Sequence, residues 1–330
     1  MVPASGSLVS SLDDASLHRW LRGLPGVDEA GLVARAARLS TRVPEGASRV
    51  LALDLVIRLT DLTTLEGSDT PATVRALCAA ARRPDPRDPD CPTVAAVCVY
   101  GDLVPVAVEA LRPVVPLRAA DATDQPPAPV RVAAVVTAFP SGRASSAVRL
   151  ADTRIAVLAG ADEVDMVIDR GAFLGGRYGL VVEQVTAVRE ICHAVPEGRK
   201  PVRLKVILET GELGDPDAIR DASWLAMLGG ADMIKTSTGK ISPAATPEAA
   251  LVMLAAVRDW ATLTGRRVGV KVAGGIRTAA DALRYLVLAE ETAGTAWLEP
   301  DLFRFGASGL LRDVVRQRTA ARRPAPGAGW

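Results

Sequence analysis

Eight short apolar segments alternate with longer stretches of helical spacing between residues 56 and 318 of this 330-residue chain. The apolar segments have the composition of buried strands, and we predict strands at 56–62, 93–100, 132–139, 163–168, 202–209, 231–236, 268–272 and 302–306. Helices are predicted at 70–82, 145–158, 180–194, 216–228, 247–263, 279–289 and 309–318. Eight repeats of strand and helix predict an α/β fold whose parallel sheet closes into a TIM (β/α)8 barrel.

The alternative architecture for such a pattern is an open, doubly wound sheet. That fold usually has a glycine-rich turn after its first strand, where a phosphate approaches the backbone. In this chain the corresponding residues 61–65 read DLTTL and contain no glycine. The closed barrel is therefore favoured.

The segments outside the repeat are predicted to be auxiliary. Residues 1–50 are rich in alanine, leucine and arginine with helical spacing, so we predict an N-terminal helical extension packed on a barrel domain at 51–320. The proline-rich segments 83–92 and 121–129 are predicted loops, and residues 321–330 a flexible C-terminal tail.

Overall charge and hydropathy exclude several classes of partner. The formal net charge is +1, which argues against a nucleic-acid partner and against binding to a membrane surface. No apolar run approaches the ~18 residues of a membrane span. Asp13 and Asp14 lie in a segment without a basic start, which is unlike a signal peptide.

Cysteine and histidine usage bears on compartment and metal chemistry. The four cysteines form no C-x-x-C pair, which predicts free thiols and a cytoplasmic location. The only histidines are His18 and His193, so a histidine-based metal site is not expected. We predict no metal and no cofactor, and acid–base work is left to lysine, aspartate, glutamate, tyrosine or water.

Lysine is rare in this chain. Of the 39 basic residues, 34 are arginine, and the lysines are Lys200, Lys205, Lys235, Lys240 and Lys271. A lysine amine can lose its proton and attack a carbonyl, whereas an arginine in a protein stays protonated. Three lysines fall inside predicted strands or at their ends, which favours Schiff-base catalysis. Chance combined with buried ion pairs is the alternative that spacing alone leaves open.

The charged residues of the fourth to seventh predicted strands are expected to meet inside the barrel. Asp165 shares one face of its strand with Glu163, while the apolar residues of that strand share the other. Lys205 on the next strand needs a partner if it is buried, and Asp165 is the natural one. Lys235 and Lys271 end adjacent strands, which lie about 5 Å apart, and a like charge that close favours a neutral amine.

Two glycine-containing loops are candidates for holding a phosphate. The loops after the seventh and eighth strands of such barrels commonly do so, and here they contain Gly274-Gly275 and Gly306-Ala-Ser-Gly309. The second loop leads directly into a predicted helix, whose N-terminal N–H groups can bind an anion.

Seven segments together resemble the deoxyribose-phosphate aldolase family, a family of lysine-dependent class I aldolases on TIM barrels. The matching segments are 61–65, 96–100, 160–167, 204–213, 234–240, 269–278 and 303–308. They occur in order over residues 50–315, and the lysine loop IKTSTGK at 234–240 is the most specific.

The resemblance implies reversible cleavage of 2-deoxy-D-ribose 5-phosphate to glyceraldehyde 3-phosphate and acetaldehyde. It implies that Lys235 forms the imine, that Lys271 lowers the pKa of Lys235, and that Asp165, held by Lys205, moves the proton of the C3 hydroxyl. The residues that it implies for the substrate pocket and the phosphate are Asp61, Thr63, Cys98, Thr236, Gly239, Lys240, Gly274, Gly275, Ser308 and Gly309. For Cys98, simple barrel packing is the alternative.

The resemblance also implies partners, and it leaves competing functions open. The expected partners are small sugar phosphates and aldehydes, and the family resemblance implies a homodimer. Gly309 stands where many family members have serine or threonine, so one phosphate hydroxyl is missing. The alternative functions are another class I barrel aldolase or transaldolase with a different sugar phosphate, and a sugar-phosphate-binding protein without activity.

Overall fold

The chain folds into a closed barrel of eight parallel strands in sequence order, in a computed structural model that describes residues 13–42, 44, 46–111 and 129–322. The strands are β1 (Thr60–Thr63), β2 (Ala96–Tyr100), β3 (Arg131–Val136), β4 (Glu163–Val167), β5 (Arg203–Ile207), β6 (Met233–Lys235), β7 (Gly269–Ala273) and β8 (Phe303–Ala307). Because β1 pairs with β8, the sheet has no free edge. The predicted TIM barrel is confirmed, and the open sheet is wrong.

Thirteen α-helices surround or precede the barrel in the part of the chain that the structure describes. They are α1 (Asp14–Arg22), α2 (Glu29–Ser40), α3 (Gly46–Arg58), α4 (Pro71–Arg82), α5 (Val104–Leu111), α6 (Ser146–Leu158), α7 (Arg170–Leu174), α8 (Tyr178–His193), α9 (Thr210–Leu213), α10 (Pro216–Leu228), α11 (Pro247–Thr264), α12 (Ala279–Ala293) and α13 (Leu310–Ala321). Within the described ranges, no helix combines the length and apolar character that crossing a membrane requires.

Short polar side chains define where the outer helices begin. Thr70, Ser145, Thr246 and Thr278 each accept a hydrogen bond from a backbone N–H of the first turn of α4, α6, α11 and α12. Proline follows the cap of α4 and of α11, where its missing N–H costs nothing. These local signals explain why the predicted starts of these helices agree closely with the structure.

The first predicted strand, 56–62, is wrong over most of its length. Helix α3 continues to Arg58, and β1 starts only at Thr60. Leu53, Val56 and Ile57 are fully buried and lie three and four residues apart, so they form the inner face of a helix. The run Leu-Val-Ile has the composition of a strand. Together with Leu53, however, its buried residues form the face of α3 that packs against α12 and α13.

Helices α1 and α2 lie against the outer layer of the barrel. Helix α1 packs on α8, and α2 packs on α11 and α12. Trp20 of α1 makes an edge contact with Trp224, with ring centres 5.6 Å apart, and Trp224 contacts Trp260 in turn. The predicted boundary at residue 50 falls inside α3. Residues 1–12, the predicted tail from 323 onward, and the loop at 121–128 lie outside the described residues.

The alternation of each strand separates two environments. Apolar residues such as Val164, Met166 and Val206 face the helices and form a continuous core between the sheet and the outer layer. The intervening residues face the barrel axis, and on β4 to β8 several of them are charged. The fold thereby concentrates ionisable groups in a space that solvent hardly reaches.

Candidate active site

Seven charged side chains fill the inside of the barrel, and each is at most 2% exposed. We call this set the barrel ion network; its members are Asp61, Glu163, Asp165, Lys205, Lys235, Lys271 and Arg304. They come from β1, β4, β5, β6, β7 and β8. The pairing of the strands aligns Asp165 with Lys205, and Lys235 with Lys271. The predicted meeting of these four residues is therefore present in the structure.

Asp165 lies at the centre of the network and binds three lysines. Its Oδ1 accepts a hydrogen bond from Lys205 Nζ at 2.7 Å. Its Oδ2 accepts one from Lys235 Nζ at 2.8 Å and one from Lys271 Nζ at 2.9 Å. The two predicted catalytic amines thus share one oxygen atom, and both point into the barrel.

The remaining members, Asp61, Glu163 and Arg304, pair with Lys205 and Lys271 and with each other. Lys205 Nζ lies 2.6 Å from Glu163 Oε2, and Lys271 Nζ donates to Asp61 Oδ2 at 2.5 Å. Arg304 donates to Asp61 and, at 2.9 Å, to Glu163 Oε1. Asp61, which the family resemblance placed in the substrate pocket, is thereby enclosed by ion pairs.

The network has one more cation than it has carboxylates, and Arg131, which is 33% exposed, also contacts Glu163. Three carboxylates face three lysines and one arginine. Burial lowers the pKa of the Lys235 amine, the pull of Asp165 opposes this, and the positive charge of Lys271 adds to the lowering, so the net direction is downward. Among the three lysines of the network, Lys235 is the one whose pKa is lowered.

The other members of the network stay charged. Burial acts to lower the pKa of Lys271, but Asp165 and Asp61 outweigh it and raise that pKa. The same holds for Lys205, whose pKa Asp165 and Glu163 raise against the effect of burial. For Asp165, burial acts to raise the pKa, but the three lysines hold it well below its usual range. Lys235 differs because, among the described residues, its amine contacts no carboxylate other than Asp165.

The loop after β6 lies between the loops of β5 and β7. The hydroxyl of Thr236 donates to Ala273 O at 3.2 Å and accepts from Ala273 N at 3.0 Å, which joins the ends of β6 and β7. The hydroxyl of Thr238 accepts a hydrogen bond from Lys240 N at 3.1 Å. Lys240 Nζ reaches Glu66 at 2.8 Å, so its amine lies at the mouth of the barrel.

Backbone N–H groups without a protein acceptor occur on three of the loops at this mouth. Among the described residues, none accepts a hydrogen bond from the N–H of Gly239, Gly274, Gly275, Ser308 or Gly309. Gly239 and Gly274 are close neighbours, because a Cβ on Gly274 would lie 3.2 Å from the Cα of Gly239. Both have φ near +80°, a conformation that favours glycine. These loops can therefore present several donors to an anion.

The opposite wall of the barrel is apolar. Leu65, Cys98 and Val135 form a small buried cluster with Tyr100 and Phe139 packed against it. Burial raises the pKa of the Cys98 thiol, and Asp165 raises it further, so Cys98 is a protonated packing group. Thr63, also predicted in the pocket, donates its hydroxyl to Asp61 O at 2.9 Å. The interior is thus ionic along β1 and β4 to β8, and apolar along β2 and β3.

The sequence interpretation gave no role to Arg304 or Glu209, and it gave Gly306 a different role, in the phosphate loop. Arg304 was overlooked because arginine is common in this chain, although it lies in the middle of a predicted strand. Gly306 provides space for Lys271, since a Cβ there would lie 2.9 Å from Lys271 Cε. Glu209 is fully buried at the end of β5, where the sequence shows only a polar residue closing an apolar run.

Two further observations delimit the site. A cavity of about 650 Å³ lies outside the barrel between α4 and α13, lined by Leu77, Leu311 and Val315 among others, and contains none of the network. The described ranges contain no group of three or more histidine, cysteine, aspartate or glutamate residues placed to hold a metal ion. The barrel ion network therefore lies apart from this cavity, whose lining includes Ser308.

Comparison with known proteins agrees with this geometry. The family model described as DeoC/LacD family aldolase matches residues 55–314. A deoxyribose-phosphate aldolase of Mus musculus is 41% identical over 303 residues, which are 88% of this chain and 88% of the mouse protein. The deoxyribose-phosphate aldolase of Homo sapiens is 42% identical over 265 residues, covering 78% of this chain and 77% of the human one.

Solved structures share the fold over most of the chain. A crystal structure from Coccidioides immitis, assigned as a deoxyribose-phosphate aldolase, has a TM-score of 0.67 and 28% identity, covering 94% of this chain and 99% of that one. The tetrameric deoxyribose phosphate aldolase of Aeropyrum pernix has a TM-score of 0.57 and 21% identity, covering 84% and 100%. With the site and the family match in agreement, this chain belongs to the DeoC/LacD family of aldolases.

Proposed function

We propose that this chain is a class I aldolase that reversibly cleaves 2-deoxy-D-ribose 5-phosphate to D-glyceraldehyde 3-phosphate and acetaldehyde. The observation that carries the proposal is the shared contact of Lys235 and Lys271 with one oxygen of Asp165. The amine of Lys235 and the fixed cation of Lys271 are thereby each within hydrogen-bond distance of the same carboxylate. The relatives at about 40% identity bear the name of this activity.

Lys235 begins the reaction. Its neutral Nζ attacks C1 of the open-chain aldehyde, and loss of water gives a protonated imine. The positive charge of Lys271 beside it favours the neutral form of the attacking amine. Lys271 itself stays protonated, because Asp61 and Asp165 raise its pKa.

Asp165 then serves proton transfer. The C3 hydroxyl loses its proton to this carboxylate through a water molecule, and the C2–C3 bond breaks. The electron pair of that bond moves into the imine and forms an enamine on Lys235, while C3 becomes the aldehyde of glyceraldehyde 3-phosphate. Protonation of C2 and hydrolysis of the new imine release acetaldehyde and restore the amine. Lys205 keeps Asp165 oriented through its contact at 2.7 Å.

The polar loops and the apolar wall at the barrel mouth fit the two ends of the substrate. The N–H groups of Gly239, Gly274, Gly275, Ser308 and Gly309, together with the amine of Lys240, bind the phosphate in this proposal. The apolar wall around Cys98 and Leu65 accepts the part of the sugar that lacks a 2-hydroxyl. Burying an unpaired hydroxyl against such a wall is costly, so ribose 5-phosphate should be a poor substrate.

A coupled assay and a trapping experiment test the proposal together. Cleavage of 2-deoxyribose 5-phosphate is followed through NADH consumption by a dehydrogenase that reduces the aldehyde product, and ribose 5-phosphate is the comparison substrate. Acetaldehyde with borohydride should leave an ethyl group on Lys235 in the parent, located by peptide mass spectrometry. Trapping on a different lysine, or equal turnover of both sugars, would contradict the assignment.

We also propose a cytoplasmic location and a homodimer. The four cysteines are free and buried, which supports a reducing compartment.

Helix α6 carries Val148, Ile155 and Leu158 on its outer side, and their exposures of 55%, 61% and 72% are high for large apolar residues. A second copy of the chain would cover such a stripe. Light scattering on the parent and on Leu158→Glu tests this, because only the variant should be monomeric.

A further inference from the structure

Glu209 has an unusual backbone and an unusual environment. It follows β5 with φ of +57°, in the left-handed region that few residues other than glycine adopt. Its side chain is fully buried. A carboxylate in such a place is costly unless its oxygens are hydrogen-bonded, and a strained backbone persists only where the surroundings determine it.

The carboxylate of Glu209 is held by the loop after β6. It accepts hydrogen bonds from Thr238 N at 3.2 Å and from Thr238 Oγ1 at 2.5 Å. The Thr238 hydroxyl in turn accepts from Lys240 N at 3.1 Å. A single carboxylate thereby fixes the backbone on both sides of Gly239.

A third partner extends the contact to earlier loops of the barrel. Arg170 Nη1 donates to Glu209 Oε2 at 3.2 Å, and Arg170 Nη2 donates to Ser141 O at 2.8 Å. Arg170 also pairs with Glu212 at 3.0 Å. The loops after β3, β4, β5 and β6 are thus linked in sequence at the mouth of the barrel, with Glu209 in the middle.

Glu209 does not contact the barrel ion network. The ion pairs of Lys235, Lys271 and Lys205 involve only Asp61, Glu163 and Asp165 among the described residues. The carboxylate of Glu209 therefore acts on the loop beyond Lys235 rather than on the amine. That loop carries Gly239 and Lys240, the residues that hold phosphate in the proposed function.

We propose that Glu209 is a positioning residue for phosphate recognition, which sets the conformation of the 236–240 loop through Thr238. This inference rests on the proposed function and adds a residue to it. Because Glu209 acts through Thr238, removing its charge weakens binding of the phosphate end and leaves imine formation intact. Charge-assisted hydrogen bonds are about twice as strong as neutral ones, so their loss should be measurable in KM.

The test compares two substrates, 2-deoxyribose 5-phosphate and unphosphorylated 2-deoxyribose. Glu209→Gln keeps the shape of the side chain but loses the charge, and we expect KM for the phosphorylated sugar to rise roughly tenfold with kcat within about twofold. For the unphosphorylated sugar, kcat/KM should change less than about twofold, since the loop has no phosphate to bind. An equal loss on both substrates would overturn the proposal.

The matched control is Glu212→Gln. Glu212 pairs with the same arginine, Arg170, but its side chain is 38% exposed and it does not touch Thr238. This variant should have the KM values of the parent on both substrates. If Glu212→Gln raised KM for the phosphorylated sugar as much as Glu209→Gln, the effect would come from Arg170 and not from the loop.

A second variant covers the case in which Glu209→Gln does not fold. Thr238→Val removes the hydroxyl from the other side of the contact and should show the same selective rise in KM. The double variant should be no worse than the more affected single one, because both act through one contact. Fully additive effects would overturn the inference.

Borohydride trapping with acetaldehyde separates this inference from the proposed function. If the parent neither cleaves the sugar phosphate nor forms the adduct, the proposed function fails. If the parent does both and the Glu209 variants lose trapping in proportion to cleavage, only the positioning role fails.

Discussion

Two groups of ion pairs in this molecule are built differently. Inside the barrel, three lysines and one arginine share three carboxylates. Outside it, Arg318 of α13 is 1% exposed and bonds to Asp54 of α3 and Asp88 of the proline-rich loop, with Arg322 also pairing with Asp88. We call the outer set, Asp54, Asp88, Arg318 and Arg322, the peripheral ion group. It joins α3, α13 and the 83–92 loop.

The difference lies in whether a proton must move. The peripheral ion group uses only arginine, whose charge is permanent and whose planar head binds two partners at once. The barrel ion network uses lysine at the three positions around Asp165, where the proposed reaction requires one neutral amine. In a chain with 34 arginines and five lysines, the choice of cation thus separates fixed charge from exchangeable charge.

The largest expected effect is that of Lys235→Met. Removing the nucleophile should lower kcat/KM on the order of 10⁴-fold or more. With Lys235 neutral at rest, its removal leaves the charge of the network unchanged. The midpoint of urea unfolding should therefore hardly change. Kinetics and urea unfolding of the same preparation check both points. A large drop in stability would mean that Lys235 is charged at rest.

Gly306→Ala tests how closely the network is packed. The added Cβ would lie 2.9 Å from Lys271 Cε and 2.8 Å from the Cβ of Ala273, so the lysine must shift. We expect kcat to fall about 10- to 100-fold, since small displacements of catalytic groups are costly. Gly26→Ala is the control, because a Cβ there meets no atom within 4 Å and the residue lies between α1 and α2, outside the barrel.

The pH dependence of imine formation tests the lowered pKa of Lys235. Below that pKa the amine is protonated and the trapping rate falls about tenfold per pH unit; above it the rate is constant. The pH at which the trapping rate becomes constant should lie below 10.5, the ordinary pKa of the lysine amine. Burial and the positive charge of Lys271 both favour the neutral form. If this transition occurred at or above pH 10.5, the pKa of the Lys235 amine would not be lowered. Initial rates of borohydride trapping across pH give the profile.

The smallest effect on catalysis is expected for the peripheral ion group. Arg318→Met removes the buried cation that Asp54 contacts and should lower the free energy of unfolding by about 2 kcal/mol, as expected for hydrogen bonds to charged groups. The turnover of the folded variant should equal that of the parent. Urea unfolding and kinetics distinguish the two effects, and a tenfold loss in kcat would contradict the division into two kinds of ion group.

The sequence predicts the barrel well because strand composition, helix spacing and caps all act locally. It fails at residues 56–58, where β-branched residues lie on the inner face of α3. Of the site, Lys235, Lys271, Asp165 and Lys205 were predictable from the rarity of lysine and the alternation of strands. Arg304 was not, because its partners Asp61 and Glu163 come from strands far away in sequence.

Glu209 and Gly306 illustrate what local patterns cannot give. The role of Glu209 depends on a contact with Thr238, 29 residues later, and on its own positive φ. The role of Gly306 is the space that it leaves for Lys271 on the neighbouring strand. Both are properties of distances between strands, and no composition or spacing rule encodes them.

The burial of the lysines has a consequence for an enzyme that releases aldehydes. Lys205, Lys235 and Lys271 are enclosed in the barrel, so only Lys200 and Lys240 offer lysine amines to the surroundings. Guanidinium groups remain protonated and do not attack simple aldehydes as amines do. The surface cations are nearly all arginine. Few surface groups can therefore react with the acetaldehyde and glyceraldehyde 3-phosphate that leave the barrel.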